Sequence, residues 1–188
     1  DALQLEAQGS AGRFVLGGKS YLTSLSGNLS AMLPLSAQGQ WRFGAIGSVT
    51  GLDYLTLPEY RARIIEGRAR LKWQPELPVN LVGEIGWSRD DARADRPGGD
   101  KTGPVTQLIA QWALRPGQIL ELINRQVWYA DEAPYSPMLF GDQKRHSHLS
   151  SWNIAWRYRL PGNLTFRLEA RRAANNDSIP LFSYRSSS

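Results

Sequence analysis

The strongest constraint on the fold of this chain is the alternation of apolar and polar residues at every second position. In HLSSWNIAWRYRLPGNLTFRLEA, residues 148 to 170, Trp152 and Ile154 alternate with Asn153, and the pattern resumes after the Pro-Gly-Asn. A period of two residues is that of a β-strand, and Pro-Gly-Asn is typical of a tight hairpin turn. Nine such segments follow one another, and the tail 178–188 resembles the approach to a tenth. We therefore predict an all-β fold: an antiparallel up-and-down sheet of about nine or ten strands without helices.

The connections between the predicted strands alternate in length. The turns near residues 37, 76, 117 and 162 are short. The other connections are long and polar, and cover residues 11–19, 55–59, 89–104, 130–146 and 173 onward. In an outer-membrane barrel the long loops lie at one end and the short turns at the other. The alternation therefore favours a transmembrane β-barrel in the bacterial outer membrane over the alternative, a soluble all-β domain with an apolar core.

The positions of the Trp residues support the same interpretation. They lie on the apolar strand faces, some beside the short turns and others near the long loops, as expected for two aromatic belts at the two membrane interfaces. The belt residues are Trp41, Trp73, Trp87, Trp112, Trp128, Trp152 and Trp156. We therefore expect the apolar faces to contact lipid. In the strand after residue 118 this brings Asn124 and Gln126 to lipid, but the opposite register would bring Glu121 and Arg125 there, which costs more.

The opposite strand faces would line the lumen of the barrel. Their basic residues are Arg42, Arg68, Arg70, Lys72, Arg125, Arg157, Arg159, Arg167 and Arg171, and their acidic residues are Glu6, Glu66, Glu84, Glu121 and Glu169. In an open pore this excess of positive charge would favour anions or a negatively charged glycan. Alternatively, Arg and Glu on adjacent strands form an ion-pair lattice that fills a narrow barrel. We expect the lattice if nine or ten strands form the whole barrel, and the pore if the chain is part of a wider one.

Composition excludes several other classes of protein. The chain of 188 residues fits one domain, residues 1–188, and it contains no Cys, so disulfides and thiolate metal sites are excluded. No segment approaches the roughly 18 apolar residues of a transmembrane helix. The sequence pI is about 9.7, but the basic residues alternate into an interior and form no exposed stripe, so we expect no nucleic-acid partner. No cofactor or metal site is predicted.

Three segments carry a resemblance to a known group of proteins. They are LELINRQVWYADEAPYSP (120–137), SSWNIAWRYRLPGNLTFRLEARR (150–172) and RLEARRAANNDSIPLFSYRSSS (167–188). Together they resemble the C-terminal barrel region of Gram-negative outer-membrane proteins that carry periplasmic tetratricopeptide repeats, including phage-adsorption-type proteins and exopolysaccharide-export porins. The resemblance implies that the chain is a C-terminal portion of a longer protein with tetratricopeptide repeats upstream. It also implies passage or docking of a glycan polymer in a membrane with lipopolysaccharide, and no enzymatic chemistry.

Two alternative functions remain open. One is a surface receptor, for example for a phage protein, with a plugged barrel and functional loops; its candidate contact residues are Tyr135, Met138, Leu139 and Phe140, an apolar cluster in a polar loop. The cluster could equally fold back and seal the barrel. The other is an outer-membrane enzyme in which a rim residue, His146 or His148, acts as a base beside an orienting carboxylate. A solvated pair of His side chains is the simpler interpretation of that spacing.

Overall fold

Ten β-strands form one antiparallel sheet in which the strands follow one another in the order of the chain. The computed structural model describes residues 2–35, 39–76, 78–93, 95–160 and 164–188. The strands are β1 (Gln4–Leu16), β2 (Lys19–Pro34), β3 (Trp41–Tyr54), β4 (Ala62–Trp73), β5 (Val79–Ala92), β6 (Lys101–Arg115), β7 (Gln118–Pro134), β8 (Lys144–Arg159), β9 (Thr165–Asp177) and β10 (Tyr184–Ser187). The all-β, up-and-down architecture is thus confirmed, and the tail does form a tenth strand.

Within the described residues, helical structure is limited to single turns between strands. These are α1 (Pro137–Phe140) and the 3₁₀ turns Pro58–Tyr60 and Pro180–Phe182. Among the described residues, no helix has the length and apolar character needed to cross a membrane.

The predicted contrast between long and short connections is only partly present. At one end of the strands, which we call the loop end, consecutive strands are joined by residues 17–18, 55–61, 93–100, 135–143 and 178–183. At the opposite end of the strands, which we call the turn end, they are joined by residues 35–40, 74–78, 116–117 and 160–164. Parts of the predicted turns, residues 36–38, 77 and 161–163 with the Pro-Gly-Asn, lie outside the described residues. Only 93–100 and 135–143 are clearly longer than the turns, because the strands extend into the segments predicted as loops.

The prediction of a long connection at residues 11–19 is wrong. β1 and β2 run through this segment and meet at the turn Gly17-Gly18, whose φ angles are 57° and 77°. A two-residue hairpin turn of this kind requires positive φ, which Gly adopts without steric cost. The polar residues on either side stay in the ladder and hydrogen-bond across it, as between the Oγ atoms of Ser10 and Ser26 at 2.7 Å. Polarity alone therefore does not mark a loop in this chain.

The two faces of the sheet differ in exposure. On one, which we call the outer face, large apolar side chains are exposed: Leu25 is 68% exposed, Ile85 64% and Leu168 61%. On the other, the inner face, polar and charged residues are buried: Glu84 is 4% exposed and Ser88 is fully buried. Soluble proteins have the opposite distribution, with ionised side chains outside and apolar ones inside. The apolar and charged faces predicted from the alternation are present, and the charged one is buried.

The inner face is buried because the sheet curls around it. Arg125 on β7 reaches Glu66 on β4, and Ser88 Oγ on β5 lies 2.8 Å from Tyr129 Oη on β7. A cavity of about 200 Å³ has walls from β1, β2, β4, β5 and β6. Within the described residues no ladder pairs β1 with β10, so the sheet is open at that position. Its closure into a barrel stays a prediction.

Gly86 provides space on the inner face for Arg68. The two residues are paired in the β4–β5 ladder. A Cβ atom on Gly86 would lie 2.0 Å from the carbonyl oxygen of Gly67 and 2.8 Å from Cγ of Arg68. Neither distance is sterically possible, so any side chain here would displace the neighbouring backbone. Gly83, in the same strand, has no atom within 4 Å of the corresponding position.

We expect Gly86→Ala to lower the free energy of unfolding by about 1–3 kcal/mol, because overpacking a tight site costs that much. Gly83→Ala is the matched control and should change it by less than about 0.5 kcal/mol. Equilibrium urea titration of both variants measures the difference. Equal effects would show that the backbone at Gly86 is not closely packed.

Candidate functional site

The antiparallel register collects the charged side chains on the inner face. It carries all fourteen charged residues predicted to line the lumen, namely Glu6, Arg42, Glu66, Arg68, Arg70, Lys72, Glu84, Glu121, Arg125, Arg157, Arg159, Arg167, Glu169 and Arg171. Glu84 stands directly opposite Arg70 in the β4–β5 ladder. The other carboxylates face neutral residues in the ladders: Glu66 stands opposite Ser48 and Ser88, and Glu121 opposite Gln111 and Ala155, so their arginine partners come from other positions of the inner face.

Glu84 is the most deeply buried carboxylate of this face. Its side chain is completely buried, and both oxygens are bound by guanidinium groups: Arg68 Nη1 lies 2.6 Å from Oε2, and Arg70 Nη2 lies 2.6 Å from Oε1. An ionised carboxylate without water requires such pairing, because desolvation costs several kcal/mol per ion. Glu84 therefore holds Arg68 and Arg70 against the inner face of the sheet.

Glu66 joins three strands. Arg125 of β7 hydrogen-bonds to its carboxylate, Arg68 Nε lies 3.7 Å from Oε2, and Ser88 Oγ donates to Oε1 at 3.2 Å. Ser88 also contacts Tyr129. The network thus continues from β4 through β5 to β7.

A second network covers β6 to β9 toward the turn end. Glu121 accepts hydrogen bonds from Arg157 Nη2 at 2.9 Å and from Gln111 Nε2 at 2.7 Å. Arg167 bridges Glu121 and Glu169, at 3.8 Å and 2.8 Å. Arg171 and Asn153 complete the surroundings of Glu169. Both networks together form the ion-pair lattice that was one of the two predicted roles for this face.

Lys72 and Arg159 differ from the other basic residues of the face. Within the described residues neither forms an ion pair with a carboxylate, and both lie near the turn end. Arg42, opposite Lys72 in the β3–β4 ladder, hydrogen-bonds to the neutral side chain of Gln4 at 2.7 Å. Among the residues predicted to line the lumen, the three basic ones without a carboxylate partner in the described residues therefore lie toward the turn end: Arg42, Lys72 and Arg159.

A further charged cluster closes the loop end. Arg145 Nε of β8 lies 3.3 Å from Asp131 of β7 and 3.8 Å from Asp177 of β9, and its guanidinium carbon lies 4.8 Å from the ring centroid of Tyr135. Arg96 donates hydrogen bonds to Asp90 and to the carbonyl of Gly99. The two arginines thus hold the connections 93–100 and 135–143 against the strand ends.

Lys101 lies inside this cluster, beyond the strand positions of Trp87 and Trp128. In the ladders it stands opposite Asp90 and Asp131. Burial, and secondarily the charges of Arg145 and Arg96, lower the pKa of Lys101 to about 8. Burial also raises the pKa of Asp131. The cluster is therefore crowded with cations that are partly removed from water.

Sequence analysis missed this cluster because it treated residues 89–104 and 130–146 as loops. Lys101, Asp131 and Arg145 are strand residues that continue the period of two on the inner face. That continuing period was the available signal. Arg96 carried no such signal, because its contacts depend on how its connection folds.

All seven Trp residues lie on the outer face. Trp41 and Trp73 are opposite each other at the turn end, with ring centroids 5.8 Å apart. Trp87 and Trp128 lie toward the loop end, whereas Trp152 is near the middle of β8. The other two, Trp112 and Trp156, lie in the turn-end half of β6 and β8.

The proposed loop-recognition residues divide into two groups. Tyr135 packs on Phe182 and Phe140, with centroid distances of 4.8 Å and 6.4 Å. Burial, together with the hydrogen bond that the Tyr135 hydroxyl donates to Tyr60, raises the pKa of Tyr135 to about 12. Met138 and Leu139 instead project from α1, and are 98% and 77% exposed. The apolar cluster therefore packs partly within the loop end, through Tyr135 and Phe140, and presents Met138 and Leu139 to the surroundings.

His146 and His148 lie on the outer face of β8. His148 stacks on Trp128 with centroids 4.8 Å apart, and its Nε2 lies 2.7 Å from Oε1 of Gln126. Within the part of the chain that the structure describes, neither His pairs with a carboxylate. In the same ranges no three His, Cys, Asp or Glu side chains are grouped as metal ligands.

No protein-family model, curated protein or solved structure matches the chain. The resemblance to repeat-bearing outer-membrane proteins therefore stays a prediction, and the argument for function rests on the geometry of the two faces.

Replacing Glu84 by Gln should lower the free energy of unfolding by about 3 kcal/mol, because Arg70 would lose its carboxylate partner and Arg68 would keep only Glu66, whose Oε2 lies 3.7 Å from its Nε. Glu169→Gln, where the arginines are more exposed, should lower it clearly less. Urea titration at neutral pH measures both values. Similar losses for the two variants would contradict the assignment of Glu84 as the buried centre.

The lowered pKa of Lys101 predicts a specific pH dependence. Its ordinary pKa of 10.5 applies to the unfolded chain and about 8 to the folded one, so the unfolded state binds more protons between these values and stability should rise with pH in that window. Lys101→Met should stabilise the protein most at pH 7, and its advantage over wild type should shrink from pH 8 to 10.5. A constant difference in unfolding free energy across that range would contradict this prediction.

Proposed function

We propose that this chain forms the wall of a bacterial outer-membrane β-barrel that passes or docks an anionic or glycan polymer. The observation that carries the proposal is the inversion of the two faces: apolar side chains are exposed and carboxylates such as Glu84 are buried. An exposed apolar surface that extends over a whole sheet requires an apolar surrounding. Strands of 12 to 17 residues in β1 to β9 exceed the roughly 9–11 residues that a tilted strand needs to cross a bilayer.

The charge distribution of the inner face supports an anionic substrate. Each arginine of the lattice contacts at least one carboxylate, whereas Lys72 and Arg159 have no carboxylate partner in the described residues. Fixed positive charge in a low-dielectric channel raises the local concentration of anions. A polyanion entering from the turn end would meet these two residues before the paired arginines of the lattice. The tetratricopeptide repeats implied by the resemblance belong to the same proposal, as a periplasmic docking segment.

A surface receptor is the second candidate function. It is favoured by Met138 and Leu139, which are exposed on α1 at the loop end, where a phage protein would approach. In this case the lattice would serve only to fill a narrow barrel, and the loops would carry the function.

Membrane insertion and conductance test the proposal. The full-length protein should insert into planar bilayers and conduct with a preference for anions, read from the reversal potential in a salt gradient. Lys72→Glu together with Arg159→Glu should reduce that preference, because a fixed interior charge acts on every ion that passes. Lys19→Glu, an exposed residue at the loop-end turn, is the control and should leave it unchanged.

The outcomes separate the two candidates. Stable insertion with negligible conductance would favour the receptor. A protein that stays monomeric in water and does not enter bilayers would overturn both.

A further inference from the structure

One region of the outer face is polar instead of apolar. Across β7 and β8 the outward positions are occupied by Asn124, Gln126, Ser150 and His148. Gln126 Nε2 donates to Ser150 Oγ at 2.9 Å, and Gln126 Oε1 lies 2.7 Å from His148 Nε2. This polar strip interrupts the apolar outward side chains of β7 and β8, so it is costly in a hydrocarbon surrounding unless a polar partner covers it.

Basic residues flank the strip on β9 and β10. In the ladders Arg172 lies opposite Trp152, and Arg185 lies opposite Ala174, which places both guanidinium groups on the outer face. No acidic residue occupies an outward position of β8, β9 or β10. We call Gln126, His148, Ser150, Arg172 and Arg185 the outer basic patch.

The charged residues on the outer face of β3 to β5, and Arg61 beside them, are paired with one another. Arg61 pairs with Asp53 at 2.6 Å, and Arg63 and Arg89 both pair with Asp91. In contrast, Arg172 and Arg185 have no carboxylate partner in the described residues. The outer basic patch therefore has the charge to accept an anion, whereas the charges on β3 to β5 neutralise one another.

A groove adjoins the patch along a single row of the sheet. Trp87 pairs with Pro104, and Trp128 pairs with His148. These four side chains contribute to a cavity of about 390 Å³ that also contains Asn176. Two indoles, a Pro and a few polar groups form the mixture of apolar walls and polar anchors that binds amphipathic ligands.

We propose that the outer basic patch and this groove bind the headgroup of a phosphorylated glycolipid of the surrounding membrane. Its phosphate would accept hydrogen bonds from Arg172 and Arg185, since guanidinium groups bind phosphate in a bidentate manner. Its sugar would lie against Trp87 and Trp128. The inference rests on the proposed membrane location and adds the class of lipid and the place where it binds.

The experiment compares the lipids retained by the full-length protein in nanodiscs of stated composition. One set contains phosphatidylcholine with diphosphoryl lipid A, a second replaces lipid A by phosphatidylglycerol at equal charge, and a third contains phosphatidylcholine alone. Native mass spectrometry counts the retained lipids and gives the oligomeric state. We expect wild type to retain lipid A in preference to phosphatidylglycerol.

The variants test the residues. Arg172→Gln with Arg185→Gln should weaken lipid A retention about tenfold or more, as expected for losing charge-assisted hydrogen bonds. The control, Arg63→Gln with Arg89→Gln, makes the same charge change on the outer face of β4 and β5. This double variant should retain lipid A like wild type. Equal losses in both double variants, or none in the first, would overturn the inference.

Failure of the inference can be distinguished from failure of the proposed function. A chain that does not insert into nanodiscs contradicts the membrane location itself. Insertion with equal retention of lipid A and phosphatidylglycerol overturns only the glycolipid site. A stable dimer that excludes lipid from the patch would overturn it as well, because a second copy would then be the occupant.

Discussion

The pairing of buried carboxylates with arginines from neighbouring strands is the interaction on which this structure depends. Glu84, Glu66 and Glu121 each contact two arginines. Because side chains alternate with a period of two, a slip of one residue would move these charges to the apolar face and leave them unpaired. The lattice therefore selects the register of the sheet as well as stabilising its inner face.

The outer face has the opposite requirement. In the described residues no second layer of protein covers side chains such as Leu25 and Leu168, so their contribution to stability depends on what surrounds the sheet. This links the energetics of the fold directly to the proposed membrane location. It also gives the polar positions of β7 to β10 a meaning that they would not have in a soluble protein, where exposed Gln or Arg side chains need no explanation.

The loop end contains both packed and exposed side chains. Arg145 contacts Asp131, Asp177 and the ring of Tyr135, and Arg96 contacts Asp90 across the connection 93–100. These contacts do not cover α1, whose Met138 and Leu139 side chains stay exposed. A pore and a receptor would use this end in different ways, the first as a constriction and the second as a binding surface.

The sequence by itself determined the strands, their order and the two faces, because a period of two dictates which side chains share a face whatever the tertiary structure. It also predicted which residues line the inner face, including the difficult strand β7, where Glu121 is buried and Trp128 is exposed as the register argument required. It could not determine which loop residues fold inward: Tyr135 and Met138 are three positions apart in one apolar cluster, yet only the first is packed. Nor could it separate paired from unpaired arginines, since Arg157 and Arg159 share a strand and a face but only Arg157 reaches a carboxylate among the described residues. The first distinction depends on how the loop-end connections fold, which brings Phe182 against Tyr135, and the second on the register of β7 and β8, which places Glu121 within reach of Arg157.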